Sequence, residues 1–374
     1  MKKIAVIGGG VSGVTFALNI QDTANFTIYE REDALLLKLL KTGNGKANIY
    51  NRDIKTLAYN DRIFMDKYVR NMEKTLDEYF TSLGLLTFTD SEKRVYPFSR
   101  SAKGLREYLL NRLTASVRVN TNVNIIETKA NGFNVNGEHY DYVVLATGSA
   151  AGLFKYDLTN NNDELLQSLD LVRSAFVPVI KTIEVVENLK VLHNSRIEAT
   201  LSLWQDGNII FKDRGEVLFK ERGLSGIVSF IVSSYFEWAI KDKPKATYKV
   251  VLDLMPDHSL NEVRSIIKTK ADYHKVFAPF MVKYLNTLKG DVLTNVKALS
   301  FTPIAGNYPE NTQALSGGIL TKDINDNFTH KRNERLILLG EVLDVDGMCG
   351  GYNLGFAIYS ALVASNDLLY KLSK

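Results

Sequence analysis

Near the start of the chain, the spacing of hydrophobic residues changes between strand-like and helix-like patterns over short distances. Residues 4–7 are typical of a buried strand, 14–20 of a helix with one apolar face, and 26–30 of the next strand. A strand, a glycine turn, a helix and a second strand within about 30 residues make one βαβ unit. Parallel strands of this kind need right-handed crossovers and covered faces, so the pattern predicts a doubly wound α/β sheet.

Further elements follow from the same two periods. Apolar spacings of three and four predict helices, while alternation or a short apolar run predicts a strand. The predicted helices are 65–83, 105–113 and 356–369, and the predicted strands are 116–126, 132–140, 142–146 and 336–339, with a hairpin turn at Asn131-Gly132.

The pattern differs in the middle of the chain. The polar, Asn-rich stretch 156–163 indicates a domain boundary. The longest apolar run, 224–240, is interrupted by serines and Glu237, so it predicts a buried or amphipathic helix rather than a membrane span. Helical spacing returns at 259–288, and the predicted strands between are 177–185, 197–204, 209–212 and 217–219, with a turn at Asp206-Gly207.

Composition narrows the class of protein. The 374 residues are 45% hydrophobic and 24% charged, which excludes a mainly disordered chain. A formal net charge of +4 is too small to indicate a nucleic-acid binder by itself. The single cysteine, Cys349, excludes an internal disulfide and a CxxC pair, and it favours a reducing, cytoplasmic location. The apolar start ends at Gly8, too early for a signal peptide.

A glycine turn with the spacing GxGxxG follows the first predicted strand and opens the first predicted helix. Gly8 permits the tight turn, Gly10 lets a pyrophosphate approach the backbone, and Gly13 lets the helix press on the sheet. Glu30 ends the second strand, where a carboxylate accepts hydrogen bonds from ribose hydroxyls and repels a 2′-phosphate. The sequence therefore predicts dinucleotide binding, by FAD or NAD rather than NADP.

Two further segments favour FAD. Small residues end two later strands, Ala146-Thr147-Gly148 and Gly340-Glu341, and the second continues into Asp346-Gly347 and Gly350-Gly351 before a helix. A cofactor long enough to cross the sheet needs close backbone approach at several strand ends. A helix beginning near Gly351 would direct its positive end toward the negative charge of a reduced flavin.

Five separated blocks resemble the bacterial BaiN-like flavoproteins, a family of NAD(P)/FAD-dependent oxidoreductases with aminoacetone oxidase-like members. The blocks are 8–30, 40–51, 94–102, 215–226 and 340–353, the last being the most specific. The resemblance implies an α/β fold: a Rossmann-like FAD-binding domain of the two-dinucleotide-binding type, with an inserted β-barrel-like domain and a small helical domain. The parts would be 1–155 with 315–374 for the FAD-binding domain, 156–256 with 295–314 for the β-rich insert, and 257–294 for the helical subdomain.

The resemblance also implies a set of FAD-contacting positions. Carried over residue by residue, the set is Gly8, Gly10, Ser12, Gly13, Glu30, Lys38, Thr42, Gly43, Lys46, Asn48, Val123, Ala146, Thr147, Gly148, Gly340, Glu341, Asp346, Gly347, Gly350, Gly351, Asn353 and Leu354.

The chain departs from the family pattern at several of these blocks. Lys46 and Ala47 stand where the family usually has Arg and Cys. Lys46 keeps the positive charge but cannot make the paired hydrogen bonds of an arginine, and Ala47 has no thiol. Lys220-Glu221 replaces the usual Thr-His. These departures leave the substrate unassigned.

The sequence predicts an FAD-dependent oxidoreductase without assigning a catalytic side chain or a metal site. With only one GxGxxG turn, NADH or NADPH would dock transiently if it is the hydride donor, and a small organic donor is the alternative. The electrons would leave to an unidentified small-molecule substrate or to oxygen. The five histidines show no close pairing. Packing is the favoured role of Cys349. For Tyr352, packing and contact with the flavin are equally favoured. The strongest basic cluster is Lys93, Arg94, Arg100, Lys103 and Arg106.

That basic cluster is most simply a solvated face, but it keeps a second hypothesis open. The chain would then be an FAD-holding protein in an RNA-associated complex, although nucleic-acid binding is the less favoured interpretation. A third alternative is a flavin-binding protein without small-molecule turnover.

Overall fold

The structure is a computed structural model that describes residues 1–149, 151, 163–306 and 312–374. The α-helices are α1 (Val11–Ile20), α2 (Arg62–Asp66), α3 (Val69–Ser82), α4 (Ala102–Leu110), α5 (Asp163–Ser168), α6 (Ile227–Asp242), α7 (Leu260–Ile266), α8 (Pro279–Thr287), α9 (Val292–Lys297) and α10 (Tyr352–Leu372). The predicted boundary at 156–163 falls, except for its last residue, outside the described residues.

The strands alternate with these helices at both ends of the chain. They are β1 (Lys3–Ile7), β2 (Asn25–Tyr29), β3 (Tyr50–Asn51), β4 (Thr87–Thr89), β5 (Arg94–Pro97), β6 (Ser116–Arg118), β7 (Ile126–Lys129), β8 (Gly132–Val135), β9 (Glu138–Tyr140), β10 (Tyr142–Leu145), β11 (Val177–Val179), β12 (Ile183–Glu184), β13 (Arg196–Gln205), β14 (Asn208–Lys220), β15 (Gly223–Ser225), β16 (Tyr248–Asp253), β17 (Leu299–Phe301), β18 (Ala314–Ser316), β19 (Thr329–His330) and β20 (Asn333–Leu338).

The described residues form two compact units, Met1–Phe176 with Ala314–Lys374 and Val177–Gln313. The first unit contains a six-stranded sheet in the order β19-β20-β10-β1-β2-β6. Strands β20, β10, β1, β2 and β6 are parallel, with β19 antiparallel at one edge. Because Ile7 pairs with both Leu145 and Tyr29, three strands end side by side. The predicted α/β class is confirmed.

Burial explains why these strands are continuous apolar runs. Ile4, Ala5 and Val6 are fully buried, as expected for a parallel strand covered on both faces. Helix α1 packs against α10, whose buried side chains include alanines and serines that allow a close approach. One of them, Ser360, accepts a hydrogen bond from the Gly340 N–H at 3.0 Å. The C-terminal helix thus anchors the loop that follows β20.

The second unit is built on an antiparallel sheet in the order β12-β15-β14-β13-β16-β17. Helix α6 packs on strands β13 and β14, and a polar stripe on that helix is buried. Within the stripe, Glu237 forms an ion pair with Lys181 at 2.8 Å, and both side chains are at most 3% exposed. The three-part division of the chain remains a prediction, since these units do not separate the helical piece from the sheet.

Several predicted element bounds are wrong for local reasons. The predicted helix 65–83 is two helices, α2 and α3, separated at Lys67 and Tyr68. The predicted strand 132–140 is a hairpin of β8 and β9, because Asn136 and Gly137 adopt left-handed φ angles of 49° and 85°. The predicted turn at 131–132 shifts by one residue, since Gly132 already belongs to β8.

Other corrections have similar causes. The helix predicted at 105–113 begins at Ala102, since Ser101 caps it by accepting a hydrogen bond from the Gly104 N–H. The strand predicted at 116–126 stops at Arg118, and that predicted at 177–185 is interrupted between β11 and β12. The predicted strands 209–212 and 217–219 are one strand, β14, and the 259–288 stretch divides into separately capped helical pieces.

Among the described residues, the structure has no helix long and apolar enough to cross a membrane.

Candidate functional site

In the glycine turn between β1 and α1, two glycines are needed for close packing and one faces open space. A Cβ added at Gly8, where φ is +106°, would lie 2.3 Å from the Ala146 carbonyl oxygen, and one at Gly13 would lie 2.1 Å from the Gly8 oxygen. A Cβ at Gly10 would meet nothing within 4 Å. Gly8 and Gly13 are thus required by the fold itself, whereas Gly10 faces an open space at the N-terminus of α1. Ser12, in the first turn of α1, is buried.

Glu30 directly follows β2 and is held in place by backbone donors. Its Oε2 accepts a hydrogen bond from the Gly9 N–H at 2.7 Å, and its Oε1 accepts one from the Glu32 N–H at 2.9 Å. The N–H of Thr121 donates to the Glu30 carbonyl oxygen at 2.8 Å, and Val123, buried, follows two residues later. The carboxylate is therefore fixed beside the glycine turn, where a ribose hydroxyl would find an acceptor.

A second group of side chains meets where β10 and β20 end. The Lys38 ammonium donates to the Ser149 carbonyl oxygen at 2.7 Å and to Glu341 Oε2 at 3.2 Å. The Ser149 hydroxyl donates to the same Glu341 oxygen at 3.1 Å. A Cβ at Gly148 would lie 3.8 Å from both the Lys38 and the Glu341 charged atoms. Three segments distant in sequence thus converge on the predicted site.

The loop 42–48 packs against the beginning of α10. Gly43 and Gly45 adopt left-handed φ angles of +55° and +80°, and the Ala47 N–H donates to the Thr42 carbonyl oxygen at 3.2 Å. A Cβ at Gly351 would lie 2.6 Å from Asn48 Oδ1, so only glycine permits this approach. The side chain of Lys46 is exposed.

The stretch from Gly347 to Asn353 is held by a local clamp. The Asn353 side chain accepts a hydrogen bond from the Gly347 N–H at 2.8 Å and donates to the Gly347 carbonyl oxygen at 2.7 Å. The Asp346 N–H donates to Asn60 Oδ1 at 3.0 Å, and the Gly350 carbonyl oxygen accepts from the Asn51 amide at 3.0 Å. These bonds fix the N-terminus of α10, which begins at Tyr352, has Leu354 in its first turn and presents free backbone N–H groups.

The residues present fit a dinucleotide cofactor. Asn48 Oδ1 and Thr147 Oγ1, at two of the predicted contact positions, are among the buried side-chain atoms of the described residues that have no hydrogen-bond partner. Buried polar atoms normally have a partner, and a cofactor bound at these contact positions would supply one. Together with the open space at Gly10, these two atoms lie at positions that the sequence analysis predicts to contact FAD. All the predicted contact positions lie in the first compact unit.

The basic cluster is engaged within the chain. Arg94 pairs with Asp90 at 2.8 Å, and the Arg100 guanidinium lies 4.0 Å from the centre of the Phe88 ring. The Nε of Arg106 donates to the Leu35 carbonyl oxygen at 2.8 Å. These contacts favour a structural role for the cluster over a surface for nucleic acid.

Two residues of the last block are occupied by packing. Burial raises the pKa of the Cys349 thiol to about 11, so the thiol is neutral and poorly nucleophilic near pH 7. The Tyr352 hydroxyl donates to the Asp53 carbonyl oxygen at 3.1 Å, and its ring lies edge-on against Tyr59. The structure also places Tyr96, on β5, beside Gly43 of the loop 42–48.

Comparison with known proteins now identifies the family. Residues 2–367 match the family model described as HI0933-like protein Rossmann domain. The chain belongs to this family. Membership of the HI0933-like family confirms the resemblance to BaiN-like flavoproteins and the predicted class, an FAD-dependent oxidoreductase on a Rossmann-type fold.

Individual relatives of this HI0933-like chain differ in how much of it they cover. The 3-dehydro-bile acid delta(4,6)-reductase of Clostridium scindens is 26% identical and covers 96% of each chain. The ribosomal RNA dihydrouridine synthase of Haemophilus influenzae is 26% identical over 39% of this chain and 40% of its own. The corresponding Escherichia coli enzyme is 25% identical over 53% of this chain and 52% of its own.

Among solved structures, the fold resembles a 3-ketosteroid delta1-dehydrogenase of Sterolibacterium denitrificans. The TM-score is 0.51 at 12% identity, covering 99% of this chain and 100% of that one. A 3-ketosteroid delta4-(5alpha)-dehydrogenase of Rhodococcus jostii gives a TM-score of 0.51 at 12% identity, over 97% and 96% of the two chains. At such identities the likeness concerns the fold alone.

Proposed function

We propose that the chain is an FAD-dependent reductase of carbon–carbon double bonds conjugated to a carbonyl group. The observation that carries the proposal is the end-to-end match to a reductase, which leaves no large part of either chain unaligned. The name of that relative specifies a carbonyl at position 3 and double bonds at positions 4 and 6. Dihydrouridine synthesis, the activity named for two further relatives, also saturates a double bond conjugated to a carbonyl.

The side chains described above would each have a part in holding the cofactor. Glu30 would accept from the ribose, the Gly10 turn would receive the diphosphate, and Lys38 with Glu341 would order the strand ends between them. Asn48 and Thr147 would gain the hydrogen-bond donors they lack. The bound flavin would supply hydride transfer, and the positive N-terminus of α10 would stabilise nearby negative charge.

The hydride donor is proposed to be a reduced nicotinamide that docks transiently. The chain carries a single GxGxxG turn, and Glu30 beside it suits an unphosphorylated ribose. NADH or NADPH would therefore bind at the flavin face, without a Rossmann unit of its own. The choice between them, like the cytoplasmic location suggested by the single cysteine, stays a prediction.

The visible absorption spectrum of the purified protein tests the proposal. Under anaerobic conditions, we expect NADH or NADPH to bleach the oxidised flavin bands. Subsequent addition of an enone, either 3-oxo-4-cholenoic acid or 2-cyclohexenone, should restore them. A protein that cannot take up FAD would overturn the cofactor assignment, and a reduced flavin that no enone reoxidises would overturn the substrate class.

A second candidate is reduction of uracil in RNA, favoured by one observation in the second unit. A groove of about 540 Å³ is lined by Asn188, Lys190, Val191, Lys283, Tyr284 and Thr287. Neither Lys190 nor Lys283 forms an ion pair with a described residue, so both are available to phosphate. Reoxidation of the reduced flavin by a uridine-containing transcript but not by enones, with a steep salt dependence, would favour this candidate.

A further inference from the structure

Tyr96 lies on the face of β5 opposite the one whose side chains are buried in the core. Along the strand, Val95 and Pro97 are buried, while Arg94 and Tyr96 are only half-buried. Successive side chains of a strand point to opposite faces, so Tyr96 shares its face with Arg94 and not with the core. A large aromatic side chain is thus held on the accessible side of the small sheet β3-β5-β4.

That face lies against two segments of the proposed flavin site. A Cβ at Gly43 would be 3.4 Å from Cε1 of the Tyr96 ring, which places the ring against the loop 42–48. Strand β5 pairs with β3, whose Asn51 donates to the Gly350 carbonyl oxygen. An ionised Cys349, in the same block, would raise the pKa of Tyr96, which places the two side chains near one another. Tyr96 therefore stands where the loop 42–48 and the start of α10 meet.

The Tyr96 hydroxyl makes no hydrogen bond with any described residue, a property it shares with Tyr79 but not with several other tyrosines of this unit. Tyr50 donates to Asp77, Tyr108 to the Leu83 carbonyl oxygen, and Tyr352 to the Asp53 carbonyl oxygen. Burial raises the pKa of Tyr96 despite the opposing Arg94 charge, so the phenol is neutral at pH 7. It is an accessible proton donor without a structural partner.

We propose that the Tyr96 hydroxyl is the proton donor in reduction of the conjugated double bond. The inference rests on the proposed function. A hydride, carrying the electron pair, adds to the carbon β to the carbonyl, and the Tyr96 O–H bond breaks as a C–H bond forms at the α carbon. The resulting phenolate regains its proton from solvent. The double bond is reduced, the nicotinamide that supplied the hydride is oxidised, and no further reactant is needed.

Anaerobic stopped-flow kinetics on Tyr96→Phe test the role. We expect the flavin spectrum, the FAD dissociation constant and the rate of flavin reduction by NADH or NADPH to stay within about threefold of wild type. The rate of flavin reoxidation by 3-oxo-4-cholenoic acid or 2-cyclohexenone should fall by about 100-fold or more, the usual range for loss of a general acid. Tyr370→Phe, which alters an exposed tyrosine near the C-terminus, is the matched control.

The pH profile provides a second signature. In wild type, enone-dependent reoxidation should be constant near neutral pH and decline at alkaline pH, above the ordinary pKa of tyrosine, as the phenol loses its proton. Tyr96→Phe should lack that decline. Reoxidation of Tyr96→Phe at the wild-type rate would overturn the role of Tyr96 and leave the proposed function intact. A wild-type enzyme that is reduced but never reoxidised by enones would overturn both.

The placement of Tyr96 has its own test, independent of substrate. Tetranitromethane should nitrate Tyr96 in protein stripped of FAD, and loading with FAD should protect it, as measured by peptide mass spectrometry. Tyr370 should be nitrated equally in both forms. Equal nitration of Tyr96 with and without FAD would show that the ring does not border the cofactor, and would overturn the proposal even if enone reduction is observed.

Discussion

At the scale of single residues, two glycines of one motif have separable roles. A Cβ at Gly13 would clash with the Gly8 carbonyl oxygen, whereas Gly10 has an ordinary φ of −72° and open space beside it. We expect Gly13→Ala to lower the melting temperature of the FAD-free protein by several degrees. Gly10→Ala should leave that temperature nearly unchanged and abolish tight FAD binding. Thermal unfolding and flavin fluorescence titration check both; wild-type FAD affinity in Gly10→Ala would contradict the assignment.

Glu30 provides a graded test of the ribose contact. The substitution Glu30→Gln keeps the shape of the side chain but removes the charge that strengthens its hydrogen bonds. A hydrogen bond to a charged group contributes about 1.5–3 kcal/mol, so FAD should bind roughly 10- to 100-fold more weakly. Glu127→Gln, on the exposed strand β7, is the control and should bind FAD as wild type does. Equal affinity in both variants would exclude the contact.

The thiol of Cys349, which is half-buried, should be poorly reactive near neutral pH. Burial raises its pKa to about 11, so at pH 7.5 only a small fraction is thiolate. Alkylation by iodoacetamide should therefore be slower than that of a free cysteine, and should accelerate as the pH rises toward 11. Mass spectrometry of the alkylated peptide measures the rate. Rapid alkylation at neutral pH would show a thiolate and would return Cys349 to consideration as a redox group.

At the scale of elements, the sequence predicts helices and strands best where a hydrophobic pattern is regular and recognisable residues lie at both of its ends. In the unit from β1 to Glu30, both strands are confirmed within one residue and the helix begins three residues earlier than predicted, since a glycine turn and a terminal acid bound the unit. The predicted helix 65–83 failed at Lys67 and Tyr68, because the apolar spacing continues across the break between α2 and α3. The Asn136-Gly137 turn was readable from sequence and was missed within an alternating run.

Some residues of the candidate site can be predicted from the sequence, and others are brought together only by the fold. Gly8, Gly13 and Glu30 could be predicted since their spacing along the chain corresponds to one local unit. The meeting of Lys38, Ser149 and Glu341 depends on strand order, which no local period encodes. Tyr96 was missed for that reason: its neighbours Gly43 and Cys349 are remote in sequence, and nothing near it along the chain indicates chemistry.

Helix α6 carries a buried ion pair whose disruption should be costly. Lys181→Met would leave the buried Glu237 carboxylate without its ion-pair partner, which destabilises a protein by about 3–5 kcal/mol. The double variant Lys181→Met, Glu237→Leu should recover most of that loss, because no charge stays buried. Urea unfolding measures both free energies. Arg196→Met, which breaks the exposed pair with Glu216, is the control and should change little.

At the scale of the whole molecule, the described residues of the chain form two compact units. All the proposed FAD contacts lie in the unit Met1–Phe176 with Ala314–Lys374, whose core surrounds the parallel sheet. The unit Val177–Gln313 has its own antiparallel sheet, with fully buried Ala199, Leu201 and Leu203 in β13.

This division predicts how the cofactor changes stability. A ligand present at 100 times its dissociation constant stabilises the state that binds it by about 2.7 kcal/mol. FAD should therefore protect backbone amides of the first unit against hydrogen exchange, most strongly at 8–13, 42–51 and 340–353. Peptides from the β13–β14 hairpin should exchange at nearly the same rate with and without FAD. Mass spectrometry of exchanged peptides gives both rates, and equal protection throughout the chain would contradict an FAD site confined to the first unit.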